Sequence, residues 1–482
     1  MSADANALRA EVRADSTAEF EVQVPVVVIG GGACGQIAAL AAHDAGAGVL
    51  ILERDRIAQG STALSSGFIP ACETRWQEAL GIKDSVATMT ADILAKAKGK
   101  TDADYARLLC ATSSKVLHWL ADSHDLPFVV VEGFSYPGHS ALRMHAHPER
   151  TGGALMTALS LATARAGIGT LNDATADTLI VDESLNVRGV EIQRPDGRRE
   201  AIGCGALVLA TNGYGGNPRL VDAYIPAMSQ ALYFGHPGNQ GHAVLWGERL
   251  DAGVADLTAF QGHGSVASPH GVLITWAIIM SGGVQVNELG QRFSDESLGY
   301  SEQARHVIAQ PNGLAWDIYG SAQHALASDF QDYRDAEAAG AIRSADSVEQ
   351  LAMDIGVPPA QLRSSVDSVN RLIERASADS YGASAGDEWG RRFCGATKLT
   401  SPYYAVRVTG ALFHTQGGLV VGDDARVQRS DGEPIPNLFA GGGAARGVSG
   451  NSDYGYLSGN GLLAAVSLGW IAGNSAASLA LG

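Results

Sequence analysis

Cysteine is scarce in this chain of 482 residues: five are present, Cys34, Cys72, Cys110, Cys204 and Cys394, with no CxxC spacing. That argues against a disulfide framework or a cysteine-based zinc site and fits reduced thiols in a cytoplasmic protein. Basic residues are also few, 34 Lys and Arg against 51 Asp and Glu, a net charge of -17. A field of that sign repels nucleic acid and anionic membranes, so neither is expected as a partner. No apolar run reaches the roughly 18 residues that cross a bilayer. The longest candidate, Gly271 to Gly282, is too short, and no membrane span is expected. The first twenty residues mix Ala, Glu, Asp and Arg without an apolar stretch, so they read as a loose tail and not a secretory signal. No HExxH or comparable set points to a metal. There is no internal repeat and no low-complexity tract.

Glycine, in contrast, is abundant, with 59 residues and no period. The glycines cluster at Gly30 to Gly35, Gly213 to Gly216, Gly441 to Gly447 and Gly455 to Gly461. Clusters of that kind mark backbone that approaches a ligand closely. Hydrophobic residues make up 46% and charged residues 18%, a globular composition, and the length asks for two domains.

One segment carries a clear motif. Val24 to Ile29 is a continuous apolar, β-branched run, the pattern of a buried parallel strand. It runs into Gly30-Gly31-Gly32-Ala33-Cys34-Gly35. Gln36 to Ala45 lacks helix breakers and Gly46 closes it, so a helix is expected there. Val49 to Leu52 reads as a second strand, followed by Glu53. Gly30, Gly32 and Gly35 match GxGxxG: the first for the tight turn, the second for approach to a pyrophosphate, the third for helix–strand packing. The helix N-terminus would face the phosphates with unpaired N–H groups, and Glu53 would accept from a ribose.

Ala206 to Ala210, ending in Thr211-Asn212-Gly213, and Asn437 to Ala440, leading into Gly441-Gly442-Gly443, read as returns to the same nucleotide fold. Leu462 to Gly469 then reads as a helix. The expected organisation is a tail over 1–20, a discontinuous nucleotide-binding domain over 21–257 and 414–482, and an insertion over 258–413. Within the insertion, Ser321 to Arg375 reads as helical with a break at Pro358-Pro359.

At this point the residues resemble a known family. VVVIGGGACG, GSTALSSGFIPA (Gly60 to Ala71), VLATNGYGGNP (Val208 to Pro218), HTQGGL (His414 to Leu419) and PNLFAGGGAARGVSG (Pro436 to Gly450) are similar to segments of the fumarate reductase and succinate dehydrogenase flavoproteins. The 3-ketosteroid Δ1-dehydrogenases belong to the same superfamily. The resemblance implies an α/β fold: a Rossmann-like FAD-binding domain with an inserted α+β cap that carries the substrate site. It implies non-covalent FAD held by Gly30, Gly32, Ala33, Cys34, Gly35, Glu53, Arg54, Ser61, Thr62, Ser66 and Gly67. Ala210, Thr211, Asn212, Gly213, Gly442, Gly443 and Leu457 complete that set. Where these flavoproteins commonly place a Glu after an Ala-Gly pair, this chain has Gly443, so the ribityl chain is expected to be gripped differently.

The reaction is read from departures within the resemblance. In fumarate reductases two histidines and two arginines hold a dicarboxylate, with a Glu and an Arg relaying protons. The histidines fall here on His263 and His414. The relay positions read Trp276 and Ile279, the proton-donating arginine falls on Tyr300, seven residues after Phe293, and the final arginine falls on Tyr456. Loss of both arginines removes the bidentate grip on carboxylates. Tyrosine at both places is similar to the ketosteroid dehydrogenases. The resemblance then implies a ketone dehydrogenase: Tyr300 removes a proton α to the carbonyl, flavin N5 takes a hydride from the β-carbon, and an enone forms. Tyr456 and a backbone N–H at Gly459 or Gly461 would hold the ketone oxygen. Tyr454 competes with Tyr456, since one gap shifts the register. His263, His414, Trp276 and Phe293 would complete the substrate site, with the two indole and phenyl rings as apolar wall. Either histidine is a candidate for lowering the Tyr300 pKa, and Arg446 is weighed as a carboxylate anchor against an ordinary surface role.

The expected substrate is a small cyclic ketone. Similar enzymes act on steroids, cyclohexanone and 4-oxocyclohexanecarboxylate, and a ring carboxylate would give His263 or His414 something to hold. An external electron acceptor (O2, a quinone or a carrier) is expected, and the sequence leaves the oligomeric state open. The rivals are a fumarate-reductase-like enoate reductase and a flavin-binding subunit without a substrate of its own.

Overall fold

A computed structural model describes residues 9–132, 135–378 and 386–482. Two compact units emerge: the chain up to Ile225 with Gly235–Phe260 and His414–Gly482, and a second of Pro226–Phe234 with Gln261–Phe413.

The first unit is built on a nine-stranded sheet. At its centre Val22–Ile29 pairs in parallel with Val49–Leu52 on one side and with Arg199–Leu209 on the other. Val26, Val27 and Val28 are fully buried, as a strand covered on both faces requires. The 11 residues of Arg199–Leu209 are enough for two neighbours on its far edge. Its first half pairs antiparallel with Val187–Gln193, and its last residues pair in parallel with Pro434–Ala440. The last third of the chain thereby returns to the sheet started by the first.

The helix Ala33–Asp44 follows the glycine turn and starts three residues before the expected Gln36. It packs on the C-terminal helix Asn460–Leu481 through glycine. A Cβ on Gly469 would lie 2.6 Å from the Cys34 carbonyl oxygen, and one on Gly473 would lie 2.2 Å from that of Ala38. The C-terminal helix corrects one expectation: it is 22 residues long, and an 18-residue stretch of it, at mean hydropathy 1.4, is apolar enough to cross a bilayer, although 61% of that stretch is buried inside the fold. Scattered Ser, Gly and Asn hide it from a search for unbroken apolar runs. Burial of its Leu463, Val466, Leu468 and Ala472 accounts for the apolarity as core packing.

The expected loose tail needs a second correction. Glu11–Ala14 is a strand, paired in parallel with Thr175–Val181 from Glu11↔Thr178 to Ala14↔Val181. Four residues are too few for periodicity to reveal. Residues 1–8 of that tail lie outside the described residues.

The second unit is a mixed sheet around the long strand Tyr403–Thr415, which pairs antiparallel with Leu314–Tyr319 and with Ile342–Ala345. Ile342–Ala345 interrupts the stretch expected to be helical from Ser321 to Arg375, where charged and Ala-rich flanks mask a four-residue strand. Helices Val348–Ile355 and Pro359–Ala378 flank the expected break at Pro358-Pro359. Their buried Leu351, Leu362, Val366, Val369 and Ile373 pack on Val284, Val286 and Ile318 of the sheet.

Candidate active site

Each unit carries its own cluster of predicted residues. In the first unit the glycine turn has the shape that a dinucleotide needs. Gly30 sits at φ +106°, and a Cβ there would lie 2.4 Å from the Ala210 carbonyl oxygen. A Cβ on Gly35 would lie 1.8 Å from the Gly30 carbonyl oxygen, so the helix can start against the strand only with glycine there. Gly32 is different: the nearest atom to its Cβ position is Thr62 Oγ1, at 3.8 Å. The space over Gly32 is therefore open, and the helix behind it has no side-chain cap. Open space before a helix N-terminus is the cradle a pyrophosphate fills. Thr211 Oγ1 is buried nearby in sequence to the Ala210 contact and has no protein partner, which fits a group awaiting a ligand.

The other cofactor candidates divide by role. Glu53 is buried, and its carboxylate accepts from the N–H groups of Gly31 at 2.8 Å and Asp55 at 2.9 Å. Each oxygen keeps a lone pair for a ribose hydroxyl. Thr62 Oγ1 accepts from the Ala33 N–H at 3.3 Å, and Ser61 Oγ accepts from Asn239 Nδ2 at 2.8 Å. Arg54 donates to the Gly238 carbonyl at 3.1 Å. Ser66 is half-buried beside Gly67, where φ is +68° and a Cβ would lie 2.9 Å from the Thr151 carbonyl oxygen. Cys34 and Leu457 are packing residues: burial pushes the Cys34 thiol up to about 12, and Leu457 is 1% exposed. Gly442, at φ +57°, lies against Cys34.

Gly443 has a structural reason. A Cβ there would lie 2.3 Å from Asn212 Oδ1, 2.8 Å from His414 Nε2 and 3.0 Å from the Gly213 nitrogen. Asn212 and His414 fill the volume that a longer side chain would need. His414 is half-buried, and burial pushes it down to about 4, so it is neutral at physiological pH. Its Nδ1 lies 2.8 Å from Gln416 Nε2. Gly461, in the first turn of the C-terminal helix, lies beside the same pair. That turn leaves backbone N–H groups without side-chain capping. Gly459, at φ +88°, lies close against Pro70 and Met144. Tyr456 is 6% exposed, whereas the Tyr454 ring is covered by the Lys98 ammonium at 3.9 Å.

In the second unit the predicted rings come together. Tyr300 is the first residue of the helix Tyr300–Ile308 and is buried. Gln303, Ala304 and Val307 share its buried face. Two glycines let this helix lie close to the sheet: a Cβ on Gly264 would meet Gln303 at 2.8 Å, and one on Gly410 would meet the Ala304 carbonyl oxygen at 2.3 Å. Ser301 Oγ accepts from the Gly262 N–H at 2.9 Å and fixes the register. As a result Tyr300 stacks on His263, with ring centroids 4.9 Å apart. His263 also stacks on Phe413 at 5.4 Å, and Trp276 meets its edge at 5.6 Å.

His263 is 5% exposed, and burial pushes it down to about 3. The Ser265 N–H donates to its Nδ1 at 3.1 Å, so the ring proton of the neutral form sits on Nε2. A neutral ring cannot supply the positive charge that one expectation asked of it. The indole N–H of Trp276 is buried without a protein partner, so this residue is a spare donor as well as a wall. Phe293 packs with the cluster containing Ile274 and Ile278. Arg446 pairs with Asp102 at 3.2 Å and lies over the Tyr105 ring at 5.1 Å, a structural role that leaves no carboxylate anchor there.

Sequence reasoning missed Phe413, Gln416, Ser449 and Asn460. Gln416 lies inside the HTQGGL motif, two residues from His414, and that proximity was the available signal. Among the described residues no three His, Cys, Asp or Glu side chains gather as a metal site.

Residues 25–462 match the FAD binding domain family. A protein of Shewanella frigidimarina, named a probable fumarate reductase, is 30% identical over 459 residues, which span 95% of this chain and 75% of that protein. The open conformation of a flavocytochrome c3 fumarate reductase superposes with TM-score 0.81 at 28% identity, over 96% of this chain and 79% of that one. The 3-ketosteroid-Δ4-(5α)-dehydrogenase of Rhodococcus jostii RHA1, solved with 4-androstene-3,17-dione, superposes with TM-score 0.76 at 26% identity, over 98% of this chain and all of that one. The chain belongs to the FAD binding domain family, in the superfamily of fumarate reductase and succinate dehydrogenase flavoproteins, and is an FAD-dependent oxidoreductase.

Proposed function

We propose that this enzyme desaturates a small cyclic ketone between its α and β carbons. The observation that carries the reading is the Tyr300–His263–Phe413 stack, with Trp276 at its edge. It is aromatic and uncharged, a surface for a ring and a poor one for a dicarboxylate. The chain's similarity to a dehydrogenase solved with a 3-ketosteroid supports the same reading.

When bound, FAD supplies the hydride acceptor. The chain's own residues handle the proton and the carbonyl. Tyr300 takes the α proton. Removal of that proton also calls for donors aimed at the enolate oxygen. The resemblance offers Tyr456 O–H and the Gly461 N–H as those donors, a preorganised donor being worth roughly 3–4 kcal/mol. Within the second unit, neutral His263 adds a hydrogen bond without charge. A ring carboxylate is therefore not needed for recognition. The ketone loses a proton and a hydride, and continued turnover would call on an external electron acceptor.

The second reading, reduction of an enoate, draws on the similarity to a probable fumarate reductase. Tyr at 300 and 456 and Trp at 276 weigh against it, since a carboxylate would lack cationic partners at those positions. The test is turnover of cyclohexanone or 4-oxocyclohexanecarboxylate with an artificial acceptor. Loss of two hydrogens by mass supports desaturation, and recovery of unchanged ketone alone rejects it for these substrates.

A further inference from the structure

His414 stands at the end of a line of buried hydrogen bonds within the first unit. Asn460 Nδ2 donates to Ser449 Oγ at 3.0 Å, Ser449 Oγ donates to Gln416 Oε1 at 3.0 Å, and Gln416 Nε2 meets His414 Nδ1 at 2.8 Å. Asn460, Ser449 and Gln416 are 1%, 1% and 3% exposed. The line has one fully satisfied direction. Ser449 already accepts from Asn460, so its own O–H needs an acceptor, and Gln416 Oε1 is the one within reach. The Gln416 amide is then oriented with its N–H2 toward His414. Turning that amide over would leave the buried Ser449 proton unpaired, at a cost of roughly 1–3 kcal/mol. His414 Nδ1 must accept, and the ring proton goes to Nε2, the atom 2.8 Å from where a Cβ on Gly443 would lie.

We propose that Gln416 is a positioning residue: with Ser449 and Asn460 it locks His414 as a neutral imidazole that offers one N–H, from Nε2, to a ligand oxygen. A run of hydrogen bonds pointing one way polarises its last donor, which strengthens the bond that donor makes. Burial, which pushes His414 down to about 4, supports the neutral form. The tautomer follows from the fold and is independent of the desaturation reading. Its consequence, a donor suited to a neutral carbonyl and not a charge suited to a carboxylate, deepens that reading.

The test uses the FAD-loaded protein with 15N-labelled histidine, the His414 signals being assigned by their loss in His414→Gln. The wild type should show the proton on Nε2 and a bare Nδ1, unchanged between pH 5 and 8. Gln416→Glu can only accept, so it should move the proton to Nδ1 and bring the His414 titration up into that range. Ser449→Ala frees the amide to turn and should show both tautomers. It also carries the test if the glutamate variant does not fold. A proton on Nδ1 in the wild type, or an Nε2–H unchanged in both variants, would overturn the proposal. A kinetic arm reads the ligand side: Gln416→Glu should lower kcat/KM for cyclohexanone by about tenfold, the value of one hydrogen bond, with FAD content intact. Unchanged kcat/KM with a shifted tautomer would overturn the ligand role alone. Absence of turnover in the wild type would count against the ketone reading and leave the tautomer result standing.

Discussion

The ring of Tyr300 lies nearly parallel to the imidazole of His263, 23° between planes and 4.9 Å between centroids. Stacking fixes where the Tyr300 hydroxyl can reach. It also shows what His263 does not do: a ring held near pKa 3 brings no charge to its neighbour.

Tyr300→Phe keeps the ring and removes only the hydroxyl. Turnover should fall by roughly 10²–10⁴-fold, the range of a lost general base. FAD content should match the wild type, because Phe stacks on His263 as well as Tyr does. Flavin absorbance and steady-state rates check both halves. Rates within a few-fold of the wild type would remove Tyr300 from its role.

Gly443→Ala should be costly for so small a change. The added methyl meets Asn212 Oδ1 at 2.3 Å and His414 Nε2 at 2.8 Å. Overpacking of this kind costs roughly 1–3 kcal/mol. A lower Tm and a raised KM are expected together, since His414 must move. Calorimetry and kinetics on one preparation test the pairing.

Gly35→Ala should abolish cofactor retention. Its Cβ would sit 1.8 Å from the Gly30 carbonyl oxygen, a backbone atom that cannot step aside without opening the turn. The purified variant should be colourless or retain FAD only weakly. A yellow protein with the full complement of flavin would contradict the role given to this turn.

Much of the nucleotide unit was legible in the sequence, for a physical reason. Strand, glycine turn, helix and Glu53 are local, and Gly35 answers a clash with Gly30 inside the turn itself. The Ile342–Ala345 strand was not legible, because its pairing partner lies some sixty residues away at Val406 to Tyr403. The clustering of Tyr300, His263 and Trp276 was expected from resemblance, but their stacking depends on Gly264 and Gly410, whose clashes are with a distant helix. The Asn460–Ser449–Gln416 line joins residues up to 44 positions apart through polar side chains, which leave no periodic trace.

Stability should decline on the acid side. Burial pushes His139, His145, His242 and His414 down to about 4 and His263 to about 3. Unfolded, each returns to about 6.5. The native state therefore binds fewer protons, and this contribution is full above pH 6.5 and lost as pH falls through 4. Each group contributes up to about 1.4 kcal/mol per pH unit across that window. Asp317, pushed up to about 7 by burial, acts in the opposite sense, with its contribution lost as pH rises through 7. Burial raises Glu53, Asp256 and Asp332 in the same sense as Asp317, and the five imidazoles set the larger effect between pH 7 and 5. The Tm of FAD-loaded protein should drop between pH 7 and 5, and a flat or rising Tm would contradict this assignment.

The most direct measurement is anaerobic mixing of oxidised, FAD-loaded enzyme with saturated ketones: cyclohexanone, 4-oxocyclohexanecarboxylate and a 3-ketosteroid. The account predicts that a small cyclic ketone bleaches the flavin in proportion to enone formed, and that Tyr300→Phe does not bleach. No bleaching by any ketone, with rapid reoxidation of dithionite-reduced enzyme by fumarate or another enoate, would contradict it and establish a reductase.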